Sequence, residues 1–459
     1  MSAQHSDAFV FFGATGDLAH KMVFPALQAM IRRGHLDMPV VGVANDGKDV
    51  SHLQARARDS LERHGGLDPA AFAKLCTLLR YVDGDYRDAG TFARLRDALG
   101  QAQRPLHYLA IPPSMFAAVA EGLAKSGCAP EGARVVVEKP FGRDLASAQQ
   151  LNRILHAHFD EKAIFRIDHY LGKEPVQNLL YFRGANLLVE ASWSNEYIES
   201  VEITMAEKFG VAGRGKLYEE TGAIRDVVQN HMLELVACIA MEISVGQDHE
   251  SRRDARAKLL QSVRTLDPAD LVRGQFRGYR GEPGVAPDSQ VETFAAVRFH
   301  VDSDRWRGVP FHVRAGKSLP VTATEVRVRF KPAGVALSSE AKPPDRDYYR
   351  FEISPDVVIA LGVSVKRPGL STVGERIELL AHHQPPDEMG PYERLLGDAA
   401  GGDPSLFVRE DSVEASWRIV DSILGNRTPV FEYEPDTWGP AEAVRLTPAG
   451  GWCDPGAGT

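Results

Sequence analysis

The chain has 459 residues, of which 44% are hydrophobic and 25% are charged, and its formal net charge is −9 at neutral pH. A chain of this length exceeds one hydrophobic core and predicts two domains. The negative charge gives no reason to expect a nucleic acid or an anionic membrane surface as partner, so a local basic cluster must hold any anionic ligand.

The N-terminus, the apolar runs and the cysteines all favour a cytoplasmic location. The opening "MSAQHSDAFVFFGATG" lacks the basic region and long apolar run of a secretory signal. No window holds the roughly 18 uninterrupted apolar residues of a membrane-spanning helix. Cys76, Cys128, Cys238 and Cys453 lie far apart with no C-x-x-C spacing, which indicates neither a zinc site nor a disulfide framework. We expect a cytoplasmic protein with reduced cysteines and no metal.

The first third of the chain alternates short apolar runs with amphipathic patterns. Such alternation is typical of βαβ units in a doubly wound parallel sheet. We therefore predict an α/β, Rossmann-like dinucleotide-binding domain over residues 1–170. The predicted strands are 8–13, 38–44, 105–111 and 133–139, and the predicted helices lie near 19–33, 51–64, 91–100, 114–126 and 144–158.

After about residue 170, strand-like runs follow one another directly. Their alternation of apolar and polar residues fits a mostly antiparallel sheet with one covered face. We predict a larger α+β domain over 171–459, with loops at 281–288 and 383–403 and a frayed tail over the last ten residues. The predicted strands are 200–206, 291–299, 309–315, 324–330 and 357–365, and the predicted covering helices are about 220–242 and 409–424.

The stretch "FFGATGDLA" places Gly13 and Gly16 between the first strand and the first helix, with Ala19 three residues further on. Glycines here let the backbone approach a pyrophosphate, which then sits on the helix N-terminus. The spacing is G-x-x-G-x-x-A rather than G-x-G-x-x-G, and alone it also fits an ordinary tight turn. Its position in the opening βα unit favours dinucleotide binding.

The end of the second predicted strand is where the adenine ribose of a dinucleotide lies. An acid there favours NAD, and a basic group favours the 2′-phosphate of NADP. The chain reads "GVANDGKDV", with Asn45, Asp46 and Lys48. A carboxylate repels a 2′-phosphate, while Lys48 counters that repulsion. We predict NADP or NAD as a dissociable cosubstrate, with NAD favoured.

A candidate general base lies on the predicted helix "TGAIRDVVQNHMLELVACIAM". Its His231 follows Asp226 by five residues. A histidine on a mostly apolar helix is more often structural, so the helix alone does not establish a base. On a regular helix, Asp226 points about 140° away from His231, so the two should not pair. If His231 is a base, Asp168 of the stretch "FRIDHYLGKE" is the best candidate for the carboxylate that orients it.

Further charged groups lie where predicted strands end or where donors crowd together. Lys139 follows the buried strand of "VVVEKPFG", and Lys317 follows a glycine in "VRAGKSL". Each lysine is as easily a salt-bridge partner or a solvated side chain as a ligand contact. The closely spaced donors suited to a phosphate are His169, Tyr170 and Lys173.

Several of these stretches together resemble one known family. "GATGDLA", "EKPFG", "RIDHYLGKE", "GAIRDVVQNH" and "VRAGK", in this order and spacing, are similar to glucose-6-phosphate 1-dehydrogenases. The resemblance runs through nearly the whole chain, including "YERLLGDA" and "EASWRIVDSIL". It implies a Rossmann domain followed by a large α+β domain whose sheet builds dimers. It also implies a sugar phosphate as substrate and a homodimer or homotetramer as assembly.

The resemblance assigns roles to individual residues. His231 would take the proton from the C1 hydroxyl while hydride passes from C1 to the nicotinamide, and Asp168 would pair with His231. The residues implied to bind the phosphate are His169, Tyr170 and Lys173. Those implied to line the sugar pocket are Lys139, Glu207, Asp226 and Lys317, with Lys139 also facing the cofactor. Those implied in the dinucleotide turn are Gly13, Thr15, Gly16 and Asp17, with Asn45 and Asp46 at the ribose.

The chain departs from the family pattern at several positions. Relatives carry a basic residue where this chain has Met22, and often a lysine or arginine where it has Thr322. The loss of one charge-assisted hydrogen bond, worth roughly 1.5–3 kcal/mol, weakens binding by about tenfold or more. Asn45 stands where NADP users of the family often have arginine, which agrees with NAD. Gly184 replaces a common phenylalanine.

Two other functions stay open at this point. The chain has features of dehydrogenases of another aldose or aldose phosphate, because the "EKP" lysine and the Asp/His helix also occur in sugar dehydrogenases of the glucose–fructose oxidoreductase type. A non-catalytic nucleotide-sensing paralogue would bind cofactor without turnover. The presence of both His231 and Asp168 favours an enzyme.

Overall fold

The computed structural model describes residues 5–211, 213–243, 248–332, 346–369, 374–382 and 388–456, and all structural statements refer to them. The chain forms two compact units. The first unit comprises Met1–Glu174, Gln247–Asp254 and Met389–Glu414, and the second comprises Pro175–Gly246, Ala255–Glu388 and Ala415–Thr459. None of the described helices has the length and apolar character needed to cross a membrane.

The first unit contains a parallel sheet with the strand order β3-β2-β1-β4-β5-β6. This is the order of doubly wound dinucleotide-binding domains, and it confirms the predicted Rossmann-like fold. The apolar runs are strands buried on both faces, as in β1, whose five residues are all buried. The strands are β1 (Ala8–Phe12), β2 (Val40–Ala44), β3 (Leu79–Asp83), β4 (Pro105–Leu109), β5 (Arg134–Glu138) and β6 (Ile164–Ile167).

Helices of this part of the chain connect successive strands. The sequence predicted most of them but missed α3, and it did not show that the first helix opens with a π-helical segment, Ala19–Val23. The α-helices are α1 (Phe24–Arg32), α2 (Val50–Arg63), α3 (Pro69–Leu78), α4 (Ala89–Leu99), α5 (Phe116–Lys125) and α6 (Leu145–His156).

The second unit contains a mixed, mostly antiparallel sheet with the order β14-β13-β12-β11-β7-β10-β9-β8-β15. This confirms the predicted α+β character. Two pairs of described neighbours are parallel, β7 with β10 and β8 with β15. The strands are β7 (Ile198–Ala206), β8 (Leu271–Phe276), β9 (Phe294–His300), β10 (Pro310–Gly316), β11 (Ala323–Phe330), β12 (Tyr348–Ser354), β13 (Val358–Lys366), β14 (Gly374–His382) and β15 (Val430–Tyr433).

The later helices differ most from the sequence prediction. The predicted helix 220–242 is broken at Gly222, whose φ of 63° is non-helical, and continues as the π-helical segment Ile224–Met232. The helices are α7 (Glu174–Ala185), α8 (Leu187–Ala191), α9 (Gly215–Ala223), α10 (Leu233–Ala240), α11 (His249–Ser262), α12 (Pro391–Gly401) and α13 (Glu410–Val420).

Two predicted irregular stretches are partly wrong. Of the predicted loop 383–403, residues 383–387 lie outside the described residues, while Pro391–Gly401 is the helix α12. Proline is compatible with the first turn of a helix, so it does not oppose α12. The tail is held rather than frayed up to residue 456, because Arg314 binds Asp454 at 2.7 Å and its guanidinium lies 4.7 Å from the Trp452 ring. Residues 457–459 lie outside the described residues.

Candidate active site

The glycine turn after β1 is shaped for close approach of a ligand. Gly13 has a φ of +79°, and a Cβ there would lie 2.3 Å from the carbonyl oxygen of Ala110. The N–H of Gly13 is shared between the carbonyl oxygen of Val43 and the hydroxyl of Tyr86, each at 3.0 Å. Gly16 and Asp17 are exposed at the start of the following helix. Because these two residues are exposed, the start of the helix is accessible to the pyrophosphate of a dinucleotide.

The turn after β2 carries a fixed carboxylate. Asp46 Oδ1 accepts hydrogen bonds from the Tyr81 hydroxyl at 2.5 Å and the Lys48 N–H at 3.1 Å, and Thr15 also bonds to this side chain. Slight burial acts against ionisation, but these hydrogen bonds lower the pKa of Asp46 below its usual range. Asn45 and Asp46 are both exposed, so a ribose can reach the Asp46 carboxylate from the solvent.

A buried carboxyl group lies next to Lys139 at the end of β5. Glu138 is 8% exposed, and it accepts a hydrogen bond from the Tyr108 hydroxyl at 2.6 Å. Tyr392 of α12 also hydrogen-bonds to it. Burial raises the pKa of Glu138 to about 7, although both tyrosines and Lys139 favour its charged form. Lys139 therefore directly follows a carboxyl group whose pKa lies near neutral pH.

The segment after β6 folds into a tight, polar turn. Asp168 is buried and accepts the Tyr170 N–H at 2.9 Å. The ammonium of Lys173 lies 3.9 Å from the centroid of the Tyr170 ring, a cation–π contact. Burial lowers the pKa of Lys173, and the nearby Asp168 opposes that shift. His169 stacks over Tyr392 with ring centroids 6.5 Å apart. The turn therefore concentrates the three phosphate-suited donors predicted from the sequence.

In the second unit, Lys317 and Glu207 meet because two neighbouring strands are parallel. The register places Gly316 opposite Ala206, so the next residue of each strand emerges at the same edge. Lys317 Nζ lies 2.5 Å from Glu207 Oε2, and its side chain is 5% exposed. The Tyr433 hydroxyl donates to the Lys317 carbonyl at 2.6 Å. Lys317 and Glu207 thus form a rigid ion pair to which the hydroxyl groups of a sugar can hydrogen-bond.

Tyr218 connects this pair to Asp226. The Lys317 ammonium lies 5.2 Å from the centroids of both the Tyr218 and the Phe209 rings. Burial raises the pKa of the Tyr218 hydroxyl well above its usual value, with further contributions from Asp226 and Glu207. Sequence reasoning missed Tyr218, which has no motif signal of its own.

His231 lies on the π-helical segment and is 2% exposed. Each turn of a π-helix closes i to i+5, so Asp226 and His231 lie on the same side of it. The divergence of about 140° holds for a regular helix and therefore does not apply to this π-helical segment. The choice of Asp168 as partner now rests on the family resemblance.

The helical stretch from Ile224 to Ala240, which carries His231, is held at both ends. At its start, Glu292 accepts the Ile224 N–H at 3.1 Å, and Arg273 donates to Glu292 at 2.9 Å. At its end, the indoles of Trp193 and Trp306 donate to the last carbonyls of α10, each at 2.8 Å. These contacts satisfy helix-end groups that would otherwise lack partners.

The positions that depart from the family pattern have other contacts. Met22 is 42% exposed. Thr322 accepts the N–H of Lys208 on its hydroxyl at 3.0 Å, so it supports the turn after β7. A Cβ on Gly184 would lie 3.1 Å from Ile243, which leaves little room for a larger side chain in α7.

The strand order and the glycine turn are those of a dinucleotide-binding domain, a class that includes many nicotinamide-dependent oxidoreductases. Two family models cover the chain: "Glucose-6-phosphate dehydrogenase, NAD binding domain" at residues 10–178 and "Glucose-6-phosphate dehydrogenase, C-terminal domain" at 180–452. The chain belongs to the glucose-6-phosphate dehydrogenase family, and it is an enzyme.

Individual relatives agree with that assignment. Glucose-6-phosphate 1-dehydrogenase 1 of Mycobacterium tuberculosis is 43% identical over 96% of this chain and 94% of its own length. The crystal structure of glucose-6-phosphate 1-dehydrogenase from Mycobacterium avium matches with a TM-score of 0.92 and 42% identity, covering 99% of this chain and 100% of that one. A glucose-6-phosphate dehydrogenase in complex with glucose 6-phosphate matches with a TM-score of 0.90 and 33% identity, covering 99% of each chain.

Proposed function

We propose that this enzyme oxidises D-glucose 6-phosphate at C1 to 6-phospho-D-glucono-1,5-lactone, the first step of the oxidative pentose phosphate pathway. The observation that carries this proposal is the buried His231 within the family motif "GAIRDVVQNH", on a helical stretch held at both ends. The full-length match to a relative in complex with glucose 6-phosphate supports the choice of substrate.

The chemistry requires one base and one hydride acceptor. His231 takes the proton of the C1 hydroxyl as the C1–H bond gives its electron pair to the nicotinamide, so a hydride and a proton leave the sugar together. Asp168 stabilises the imidazolium that results. Asp168→Asn should lower kcat with a modest change in KM. A variant that loses only substrate affinity would instead make Asp168 a structural residue of the phosphate turn.

The remaining predicted residues bind the substrate. His169, Tyr170 and Lys173 hold the phosphate, for which Lys173 supplies the charge. The sugar hydroxyls are held by Lys139, Glu207, Asp226 and Lys317. The pairing of Lys317 with Glu207 at 2.5 Å supports a preorganised pocket, since neither side chain has to be immobilised when substrate arrives.

NAD is the preferred cosubstrate in this proposal. The dinucleotide turn comprises Gly13, Thr15, Gly16 and Asp17, with Asn45 and Asp46 at the adenine ribose. The Asp46 carboxylate, fixed by Tyr81, accepts ribose hydroxyls and repels a 2′-phosphate. Lys139 faces the nicotinamide and the sugar.

A second candidate function is oxidation of another aldose or aldose phosphate. The observation in its favour is that Thr322 supports a turn through Lys208, where relatives often place a cation. The pocket then has less positive charge for a phosphate than is usual in the family.

For assembly we propose a homodimer or homotetramer, and for location the cytoplasm. The second sheet ends at β14, where the side chains of Leu379 and Leu380 are 54% and 53% exposed. An edge strand with exposed apolar residues is suited to a second copy of the chain. The four cysteines are free thiols, as expected for a reducing compartment.

Initial rates with glucose 6-phosphate and with glucose, each over a full range of NAD and of NADP, test the proposal. We expect the highest kcat/KM with glucose 6-phosphate and NAD. Equal rates with unphosphorylated glucose would favour the second candidate. Cofactor binding without turnover of either sugar would contradict both and leave the non-catalytic alternative.

A further inference from the structure

A carboxylate from β3 fills the turn that follows β2. The two strands are parallel neighbours, and Ala44 lies opposite Asp83. Asp83 Oδ1 accepts the backbone N–H of Asp46 at 3.1 Å and that of Gly47 at 2.8 Å. One carboxylate oxygen therefore satisfies two successive backbone donors of the turn that carries Asp46.

Those two donors belong to the turn at which an anion on the adenine ribose would bind. Successive backbone N–H groups in a turn form an anion-binding device, and the 2′-phosphate of NADP lies at the end of β2 in this fold. Because Asp83 already occupies the N–H groups of Asp46 and Gly47, a phosphate could use them only by displacing a carboxylate of its own charge sign.

The same strand also fixes the second carboxylate of the turn. Tyr81 lies two residues before Asp83 on β3, and its hydroxyl donates to Asp46 at 2.5 Å. β3 itself is anchored at this end, because the Arg94 guanidinium donates to the Asp83 carbonyl oxygen at 2.9 Å. Two negative charges are thus held where NADP would bring two more.

We propose that Asp83 is a specificity-determining residue of the cofactor site, which lowers the use of NADP by filling the backbone donors of the β2 turn with a carboxylate. The proposal rests on the proposed binding of a nicotinamide dinucleotide at this turn. This role of Asp83 differs from that of Asp46, whose side chain would face the ribose hydroxyls. Asp83 acts instead on the backbone N–H groups of the turn that carries Asp46.

Two substitutions separate the effect of charge from that of donor occupancy. Asp83→Ala frees both N–H groups and removes the charge, whereas Asp83→Asn removes the charge but keeps an amide oxygen that can accept them. Asp85→Asn is the matched control, because Asp85 is an exposed acid of the same loop whose carboxylate accepts the Arg87 N–H at 2.9 Å instead. The readout is kcat/KM for NAD and for NADP with saturating glucose 6-phosphate.

We expect Asp83→Ala to raise kcat/KM for NADP at least tenfold while the value for NAD stays within about threefold. Asp83→Asn should give a smaller gain, and Asp85→Asn none. Unchanged NADP efficiency in Asp83→Ala, with NAD activity retained, overturns the proposal. If Asp83→Ala does not fold, an Asp83→Asn variant with no gain for NADP overturns it equally.

The cofactor preference of the unaltered enzyme is a separate result of the same experiment. If it prefers NADP, the proposed preference for NAD fails, and the change caused by Asp83→Ala still decides whether Asp83 opposes NADP. If it prefers NAD and the Asp83 variants keep the same ratio of efficiencies, the NAD preference stands and the role of Asp83 fails.

Discussion

All described strands of the first sheet run in one direction, whereas in the second sheet only two described pairs of neighbours are parallel. In the first unit, candidate site residues follow the carboxyl ends of several strands: Gly13 after β1, Asp46 after β2, Lys139 after β5 and Asp168 after β6. In the second unit, Glu207 and Lys317 follow β7 and β10, one of its parallel pairs. A mostly antiparallel sheet therefore gains a two-residue polar edge where β7 and β10 run parallel.

The two units also differ in how strongly their candidate site residues depend on one contact. The first sheet distributes its groups along one edge, so that loss of one leaves the others in place. The second presents an ion pair whose lysine is buried, and a histidine on a helical stretch that is held at both ends. Substitutions in the second unit should therefore have the larger effects.

The largest effect is expected at His231. His231→Asn should lower kcat by about 10²–10⁴-fold, the typical contribution of general-base catalysis, and leave KM for glucose 6-phosphate within a few fold. Steady-state kinetics and equilibrium substrate binding measure this. His300→Asn, a half-buried histidine on β9 of the same unit, is the control and should keep normal kcat. Near-normal turnover in His231→Asn would remove it as the base.

The next largest effect is expected at the ion pair of Lys317 and Glu207. Lys317→Met leaves the partly exposed Glu207 carboxylate without its cation, and the loss of such a charge-assisted hydrogen bond costs roughly 1.5–3 kcal/mol. We expect a corresponding drop in the free energy of unfolding in urea and a raised KM for glucose 6-phosphate. The control is Lys331→Met, since Lys331 is exposed and donates to the Asn195 carbonyl. Equal stability of the two variants would show that the 2.5 Å contact does not hold the pocket.

A glycine comparison tests the first sheet. Gly13→Ala would combine a positive φ with a Cβ 2.3 Å from the Ala110 carbonyl oxygen, while Gly34→Ala would have a positive φ of 74° with open space around the Cβ. We expect a loss of about 1 kcal/mol for Gly34→Ala and at least about twice that for Gly13→Ala. Gly13→Ala should also weaken cofactor binding, measured by calorimetric titration. Similar values for the two variants would mean that the turn can relax.

An effect of similar size to that of Gly13→Ala, but limited to a range of pH, is expected from Glu138. Its folded pKa of about 7 lies above the usual 4.5, so the folded state binds more protons between these values. The contribution of Glu138 to stability is therefore present at low pH and is lost as pH rises towards 7. Between pH 5 and 7, Glu138→Gln should reduce the decline in the free energy of unfolding by on the order of 2 kcal/mol. Chemical denaturation at several pH values measures it, and Glu121→Gln, an exposed residue of α5, should leave the slope unchanged.

The elements that could be predicted from the sequence are those whose residues are buried on one face or on both faces. β1, β2 and β5 were found because parallel strands buried on both faces are continuous apolar runs. β3 was missed because "LRYVD" has only two buried residues, and β14 because most of its side chains are exposed. In each case tertiary pairing, rather than composition, makes the strand.

The candidate site could be proposed from the sequence where it lies in a motif, and not where it depends on long-range contact. The family stretches led to the proposals for Asp168, His231 and Lys317, which stay predictions. They did not indicate Tyr392, which reaches Glu138 from a helix more than two hundred residues further along the chain. Nor did they indicate Asp83, because its strand was itself unpredicted.

The parallel pairing of β7 with β10 has a consequence for the order of folding. Glu207 and Lys317 are 110 positions apart in the sequence, and closing so long a segment costs chain entropy before any contact repays it. The glycine turn, by contrast, joins two elements that are adjacent in sequence, and its bond from Gly13 to Tyr86 closes a shorter segment of 73 positions. We expect the cofactor turn to gain protection from hydrogen exchange early in refolding and the sugar pocket late, so that a partly folded chain can acquire a nucleotide before it can recognise a sugar.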